Sequence, residues 1–211
     1  MRLAIFGAAG RTGIHLIEQA LAAGHDVAVL VRTPANLTAF TQHERLTVLQ
    51  GDARDPAKVA AAIAGAEAVV SVLGPTSNEP VFAVSKSVEN ILAAMKQHGV
   101  RRLVLSAGAG VGDPNDRPQF IHQFFNFLVK TLSRHVYEDM LRVVEILRGS
   151  AVDWTIVRVP MLTDGPRTGV FRVGYVGDGP GLRLSRADMA DFMLQQLRET
   201  KYRRKAPVVS N

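Results

Sequence analysis

The residues best placed to do chemistry stand near the start of the chain. Gly7, Gly10 and Gly13 recur every third position in "IFGAAGRTGIH", directly behind the apolar run Leu3 to Phe6. Glycines so spaced between a strand and a helix allow a tight turn, close backbone approach to an anion and close packing of the helix, whose first N–H groups then face a pyrophosphate. A second apolar run, "VAVLV" at 27–31, supplies the next strand that this arrangement needs, so the segment is predicted to hold a dinucleotide. The end of that second strand chooses which one. An acid there would accept hydrogen bonds from the ribose hydroxyls of NAD, whereas an arginine can grip the extra phosphate of NADP. The chain has Arg32 there, and the nearest acid, Asp26, precedes the strand. NADP(H) is therefore the expected cofactor. Arg11, inside the glycine loop, reads either as a second jaw on that phosphate or as an exposed loop residue. In "GDARD", Asp52 is expected over the strand edge near the adenine and Asp55 as a helix cap. Leu73 and Gly74, after the fourth strand, leave the cofactor room to lie along the backbone.

These residues must be carried by a sheet. Apolar runs at 3–6, 27–31, 47–50, 68–73, 102–106 and 154–159 alternate with helical patterns. Continuous runs bounded by turn signals are what buried parallel strands look like. The alternation predicts an α/β fold, a Rossmann-like doubly wound parallel sheet. Punctuation agrees: Asp55 and Pro56 open the helix "AKVAAAIA", Gly65 stops it, and Gly24 and Gly99 stop others. At 211 residues the chain suits one domain. We expect a core over 1–159, including a lid segment at 108–134, and a small substrate lobe over 160–211.

Composition narrows the function. Cysteine is absent, which excludes disulfides, a thiolate nucleophile and cysteine metal sites, and with no paired His/acid spacing no metal is expected. No run of about 18 apolar residues and no leader pattern occurs, so a soluble cytoplasmic protein without a membrane role is expected. Formal charge is +6 and the pI about 10.1. The densest basic run, "KYRRK" at 201–205, reads as a solvated helix end. Without a helix-turn-helix pattern or basic stripe interleaved with aromatics, nucleic acid is not an expected partner. A monomer or homodimer acting on a small molecule is.

The segment 108–134 puts a Gly/Asp/Pro loop ahead of an aromatic helix just after the fifth strand, overhanging the ends where ligands bind in open sheets. Phe120, Phe124, Phe127 and Leu128 fall near helical spacing, with Phe125 beside them. They read either as a hydrophobic roof for a planar ring or as core packing or a dimer contact. Met161 would extend the roof or fill a gap. Ser185 is expected to cap the helix "RADMADFMLQQL", with Asp188 in its first turn.

With "GAAGRTG", "VAVLVR", "GDARD", "VVSVLG", "SVENILAAMKQHGVRRLVLSA" and "WTIVR" in order, the chain resembles atypical members of the short-chain dehydrogenase/reductase superfamily, in the NAD(P)H-binding branch of flavin and biliverdin reductases. The likeness runs nearly end to end, through "LTDGPRTGVFRV" and "LSRADMADFML". It implies hydride transfer from a nicotinamide lying across the strand ends to a substrate stacked beneath a variable lid. The positions matching the family's cofactor contacts are Gly7, Ala9, Gly10, Arg11, Thr12, Gly13, Arg32, Asp52, Ala53, Leu73, Gly74, Ser106 and Ala107, with Pro160 and Leu162 near the nicotinamide. Gly108, Phe120, Phe124 and Met161 are expected at the substrate.

Conventional members of the superfamily place a tyrosine and a lysine four apart on a helix, the lysine lowering the phenol pKa so that the phenol can protonate an alkoxide. In "HVYEDMLRVVE" Tyr137 is in register, but Leu141 stands where the lysine would be. Gly108 occupies the position of the usual serine, and Ser106 lies two residues early. Tyr137 is thus a weak catalytic candidate that lines the site or packs on a neighbour. Glu138 and Asp139 read as solvated helix charges, and His122 and His135 as surface residues or as proton donors near the lid. The missing pair directs the leading reading: an NADPH-dependent reductase of a flavin or quinone, acceptors that take hydride into a conjugated ring while solvent supplies the proton. The alternatives are an NADP(H)-sensing protein without turnover and a nucleotide-sugar epimerase or dehydratase.

Overall fold

A computed structural model describes residues 1–40, 42–75, 80–108, 110–117 and 133–211. The six apolar runs form strands β1 (Arg2–Phe6), β2 (Asp26–Val31), β3 (Leu46–Gln50), β4 (Ala68–Ser71), β5 (Arg102–Gly108) and β6 (Asp153–Val159). They pair in parallel in the order β3-β2-β1-β4-β5-β6. This is the doubly wound order that opens a crevice beyond the carboxyl ends of β1 and β4, where the winding reverses. Ile5 sits in register with Val29 on one side and Val70 on the other. Apolar side chains on both faces are needed because helices cover both.

Helices α2 (Pro56–Ile63), α3 (Ala83–Gln97) and α4 (Arg134–Gly149) cover one face, where Val59, Ile91 and Val143 pack on Phe6, Leu103 and Ile156. Helices α1 (Arg11–Ala22) and α5 (Arg186–Gln195) cover the other, where Leu16, Met189 and Met193 meet Ile5, Val70 and Val157. The predicted punctuation holds. Asp55 Oδ1 accepts from the Ala57 and Lys58 amides at 2.9 and 3.3 Å, and Gly24, Gly65 and Gly99 follow helices with φ of +76°, +73° and +69°. Asp55→Ala is expected to lower stability by about 1 kcal/mol, a loss of about 3 °C in a thermal melt at pH 7.

The segment after residue 160 divides. Strands β7 (Met161–Thr163) and β9 (Arg183–Ser185) form a separate two-stranded parallel sheet, whereas β10 (Val208–Ser210) joins β6 and β8 (Arg172–Gly174) pairs antiparallel beyond it. The expected small lobe is thus partly an extension of the main sheet. Ser185 Oγ accepts from the Asp188 amide at 3.0 Å, as its capping role requires. Asp188 does more than sit in the first turn: its carboxylate also accepts from the Thr168 and Gly169 amides at 2.7 and 2.8 Å, fastening that loop to α5. Residues 201–205 are exposed except for Tyr202 but lie beyond the helix, which has already ended at Gln195: 201–204 form turns and Lys205 bridges to Thr155. Among the described residues no helix is long and apolar enough to cross a membrane.

Candidate functional site

The glycine loop is shaped by contacts that tolerate no side chain. Gly7 has φ +80°, and a Cβ there would lie 2.7 Å from the Val72 carbonyl; one on Gly13 would lie 2.3 Å from the Gly7 carbonyl oxygen. The Gly10 amide donates to Gly7 O at 3.0 Å, closing the turn. Gly10 then caps α1 without any side-chain bond to the helix, and the first turn of α1 carries no acid. Its leading amides and dipole therefore favour an anion.

Beyond the ends of β1 to β4 lies an open cleft of about 690 Å³. Of the expected cofactor residues, Gly7, Ala9, Gly10, Arg32, Asp52, Ala53, Leu73 and Gly74 line it. Thr12 and Gly13 are buried in α1 behind the loop. Ser106, Ala107 and Gly108 stand farther along the edge, at the end of β5, paired with Val157, Arg158 and Val159. Pro160, Met161 and Leu162 follow β6; Met161 is 55% exposed, and Leu162 packs into the core beneath α1 and α5. Arg11 lies outside the cleft lining and reaches Asp164, at 3.4 Å, with both groups largely exposed. Asp164 takes a closer bond from Arg186, at 2.6 Å.

Few of the described residues that line the cleft are charged. Arg32 is exposed, and its guanidinium has no hydrogen-bond partner among the described residues. Asp52 is gripped by Arg54, which the sequence reading passed over: Nε donates to Oδ1 at 3.0 Å, Nη2 to Oδ2 at 2.7 Å, and the Arg54 amide to Oδ1 at 2.8 Å. This fork lowers the Asp52 carboxyl to a pKa of about 2, with burial opposing and the nearby Arg32 charge assisting. The signal for the pair was the two-residue spacing inside a turn, which the Asp55 amide closes onto Asp52 O at 3.0 Å.

The far wall is α3, whose Ala83, Val84 and Ser87 face the cleft. Asp139 corrects an expectation here. Instead of being solvated it is 5% exposed, and it reaches from α4 to accept the Val84 and Ser85 amides at 2.9 and 3.0 Å. Phe82, just ahead, holds a left-handed φ of +45° with the Arg142 guanidinium 3.8 Å above its ring. Glu138 is a surface charge, bonded to Arg134 at 2.7 Å, and that contact lowers its carboxyl.

Tyr137 stands half-buried in the first turn of α4 and outside the cleft lining, and Leu141 is 41% exposed where a lysine would complete the pair. Phe120, Phe124, Phe125, Phe127, Leu128 and His122 lie outside the described residues. The loop leading toward them is anchored by a residue the sequence reading did not single out. Arg158, fully buried on β6, donates Nη1 and Nη2 to the Asp116 carboxylate at 2.7 and 2.6 Å and Nη1 to Val111 O at 2.6 Å. Its signal was a lone arginine within the apolar run "WTIVRV".

Residues 7–200 match the model of the NAD(P)H-binding family. Cinnamoyl-CoA reductase 1 of Oryza sativa subsp. japonica is 30% identical over 56% of this chain and 38% of its own length, so this chain spans well under half of that relative. A short-chain dehydrogenase/reductase from Veillonella parvula DSM 2008, solved in complex with NADP, superposes with a TM-score of 0.82 at 20% identity, covering 100% of this chain and 94% of the other. ChuY of Escherichia coli O157:H7, described as an anaerobilin reductase, gives 0.78 at 22% identity over 100% and 97%. Sequence match, strand order and glycine loop agree, and the chain belongs to the NAD(P)H-binding family, built on the fold of the short-chain dehydrogenases/reductases.

Proposed function

We propose that the protein is an NADPH-dependent reductase that delivers hydride to a planar conjugated acceptor such as a flavin or quinone. The observation that carries this reading is the cleft at the ends of β1 to β4, with a guanidinium, Arg32, unpaired among the described residues at the position that selects between the two dinucleotides. Bound NADPH would supply the hydride. The Gly7–Gly13 loop and the start of α1 would hold its pyrophosphate, Arg32 its 2′-phosphate, and the backbone at Leu73 and Gly74 would let it lie flat. Ser106, Ala107, Pro160 and Leu162 would border the nicotinamide. Positioning of the two rings would supply most of the rate enhancement.

The acceptor follows from what α4 lacks. Reduction of an isolated carbonyl needs a proton donor of matched pKa, and Leu141 rather than a lysine stands four residues after Tyr137. A conjugated ring takes up hydride while solvent supplies the proton. Exposed Met161, hydrogen-bonded through its amide to the carbonyl of exposed Leu182 at 3.1 Å, offers such a ring an apolar wall. The same missing pair supports a second reading, an NADP(H)-responsive binding protein without turnover.

Stopped-flow loss of NADPH absorbance with FMN, riboflavin and a small quinone separates the two. Consumption above the protein-free rate is expected, with Arg32→Glu weakening NADPH about 100-fold and sparing NADH, the scale of losing charged hydrogen bonds to a phosphate and adding repulsion. Tight NADPH binding without consumption for any acceptor would transfer the assignment to the binding protein.

A further inference from the structure

Among the described residues the cleft holds three charged side chains, Arg32, Asp52 and Arg54. The lone carboxylate among them is already occupied: three donors of Arg54, two from its side chain and one from its backbone, fill most of the roughly four acceptor positions of Asp52. Asp52 is therefore badly placed to receive the hydroxyls of an unphosphorylated ribose. Arg54, by contrast, spends two of about five guanidinium N–H groups on Asp52 and keeps the others. Its side chain is half exposed and lines the same cleft as Arg32. The two arginines come from different loops, Arg32 from the end of β2 and Arg54 from the turn between β3 and α2, and β2 and β3 are neighbours in the sheet. With one carboxylate against two guanidinium groups, the described residues of this corner carry a net positive charge.

We infer that Arg32 and Arg54 together form a phosphomonoester-binding site in this cleft, and that Asp52 is a positioning residue that holds the Arg54 fork. The inference rests on the NADPH reading above and deepens it, since it adds a second cation and changes the part played by the acid. A fixed planar fork loses little freedom on binding and can meet two phosphate oxygens at once, which a lysine cannot. Asp52 then contributes through Arg54, by keeping it over the cleft.

Calorimetric titration of the full chain with 2′,5′-ADP and with 5′-AMP tests this, because the two probes differ by the phosphate in question. The wild type is expected to prefer 2′,5′-ADP. Arg54→Gln is expected to weaken 2′,5′-ADP about tenfold, leave 5′-AMP within about twofold, and flatten the salt dependence of the former. Arg54→Lys should restore little, and Asp52→Asn should weaken 2′,5′-ADP about threefold by releasing the fork. Equal weakening of both probes by Arg54→Gln would make Arg54 a support of the loop, and the inference would fail. If the wild type discriminates and only Arg32→Gln abolishes the discrimination, the NADPH reading stands and the Arg54 assignment falls. If the wild type binds both probes alike, both fall.

Discussion

Asp116→Leu is expected to destabilise the protein by about 3 to 5 kcal/mol, lowering its melting temperature by about 10 °C. The reason is the charge left behind. Arg158 is fully buried and gives Asp116 two hydrogen bonds, one from each terminal nitrogen, while the same carboxylate accepts the Asp113 and Val176 amides at 2.8 and 3.0 Å. Removing the carboxylate strands a guanidinium in the core and frees both the 110–117 loop and the turn at Val176. Arg158→Met with Asp116→Leu should recover part of the loss, since it removes the unpaired charge, although Val111 O and Ala206 O would then lack their donor. Burial alone would raise the Asp116 carboxyl, but the bonds from Arg158 and the two amides outweigh it and the net shift is downward. With the folded pKa below the unfolded one, the pair's contribution is complete above about pH 4 and is lost as pH falls through the folded value. Melting curves from pH 7 down to about pH 2 should therefore show the gap between wild type and Asp116→Leu narrowing at the acid end. A constant gap across that range would show that the charge pair is not its source.

Gly13→Ala is expected to damage folding and cofactor binding together. Its Cβ would stand 2.3 Å from Gly7 O and 2.4 Å from Ala8 O, and both obstacles are backbone of the loop that faces the cleft. Either α1 lifts from the loop or the loop moves into the space meant for the pyrophosphate. We expect a loss of about 3 kcal/mol in stability and at least about tenfold in NADPH affinity, read by melting and by fluorescence titration. Gly10→Ala is the internal control, because its Cβ would meet only Gly7 O, at 3.2 Å, and its φ of −79° suits any residue. That variant should melt within about 2 °C of wild type. Equal behaviour of the two variants would refute the close-approach account of the loop.

Local chemistry was legible before any coordinates. The apolar runs at 3–6, 27–31, 47–50, 68–73, 102–106 and 154–159 became parallel strands, because burial on both faces imposes an uninterrupted pattern on a few adjacent residues. Asp55 and Ser185 cap their helices because a cap acts over two or three positions. The glycine loop was legible for the same reason: turn, strand and helix are contiguous. Partner choice across the fold was not. Asp139 looked like one more helix charge, yet it caps α3 from 55 positions away, and Arg158 finds Asp116 across 42. The side chains after residue 160 gave no hint that β10 would enter the main sheet beside β6 while β7 and β9 would stay outside it. Residue type states what a side chain needs, a cation, an amide or a dry surface. Which neighbour meets that need depends on elements brought together only when the sheet winds, and this the tertiary structure alone decided.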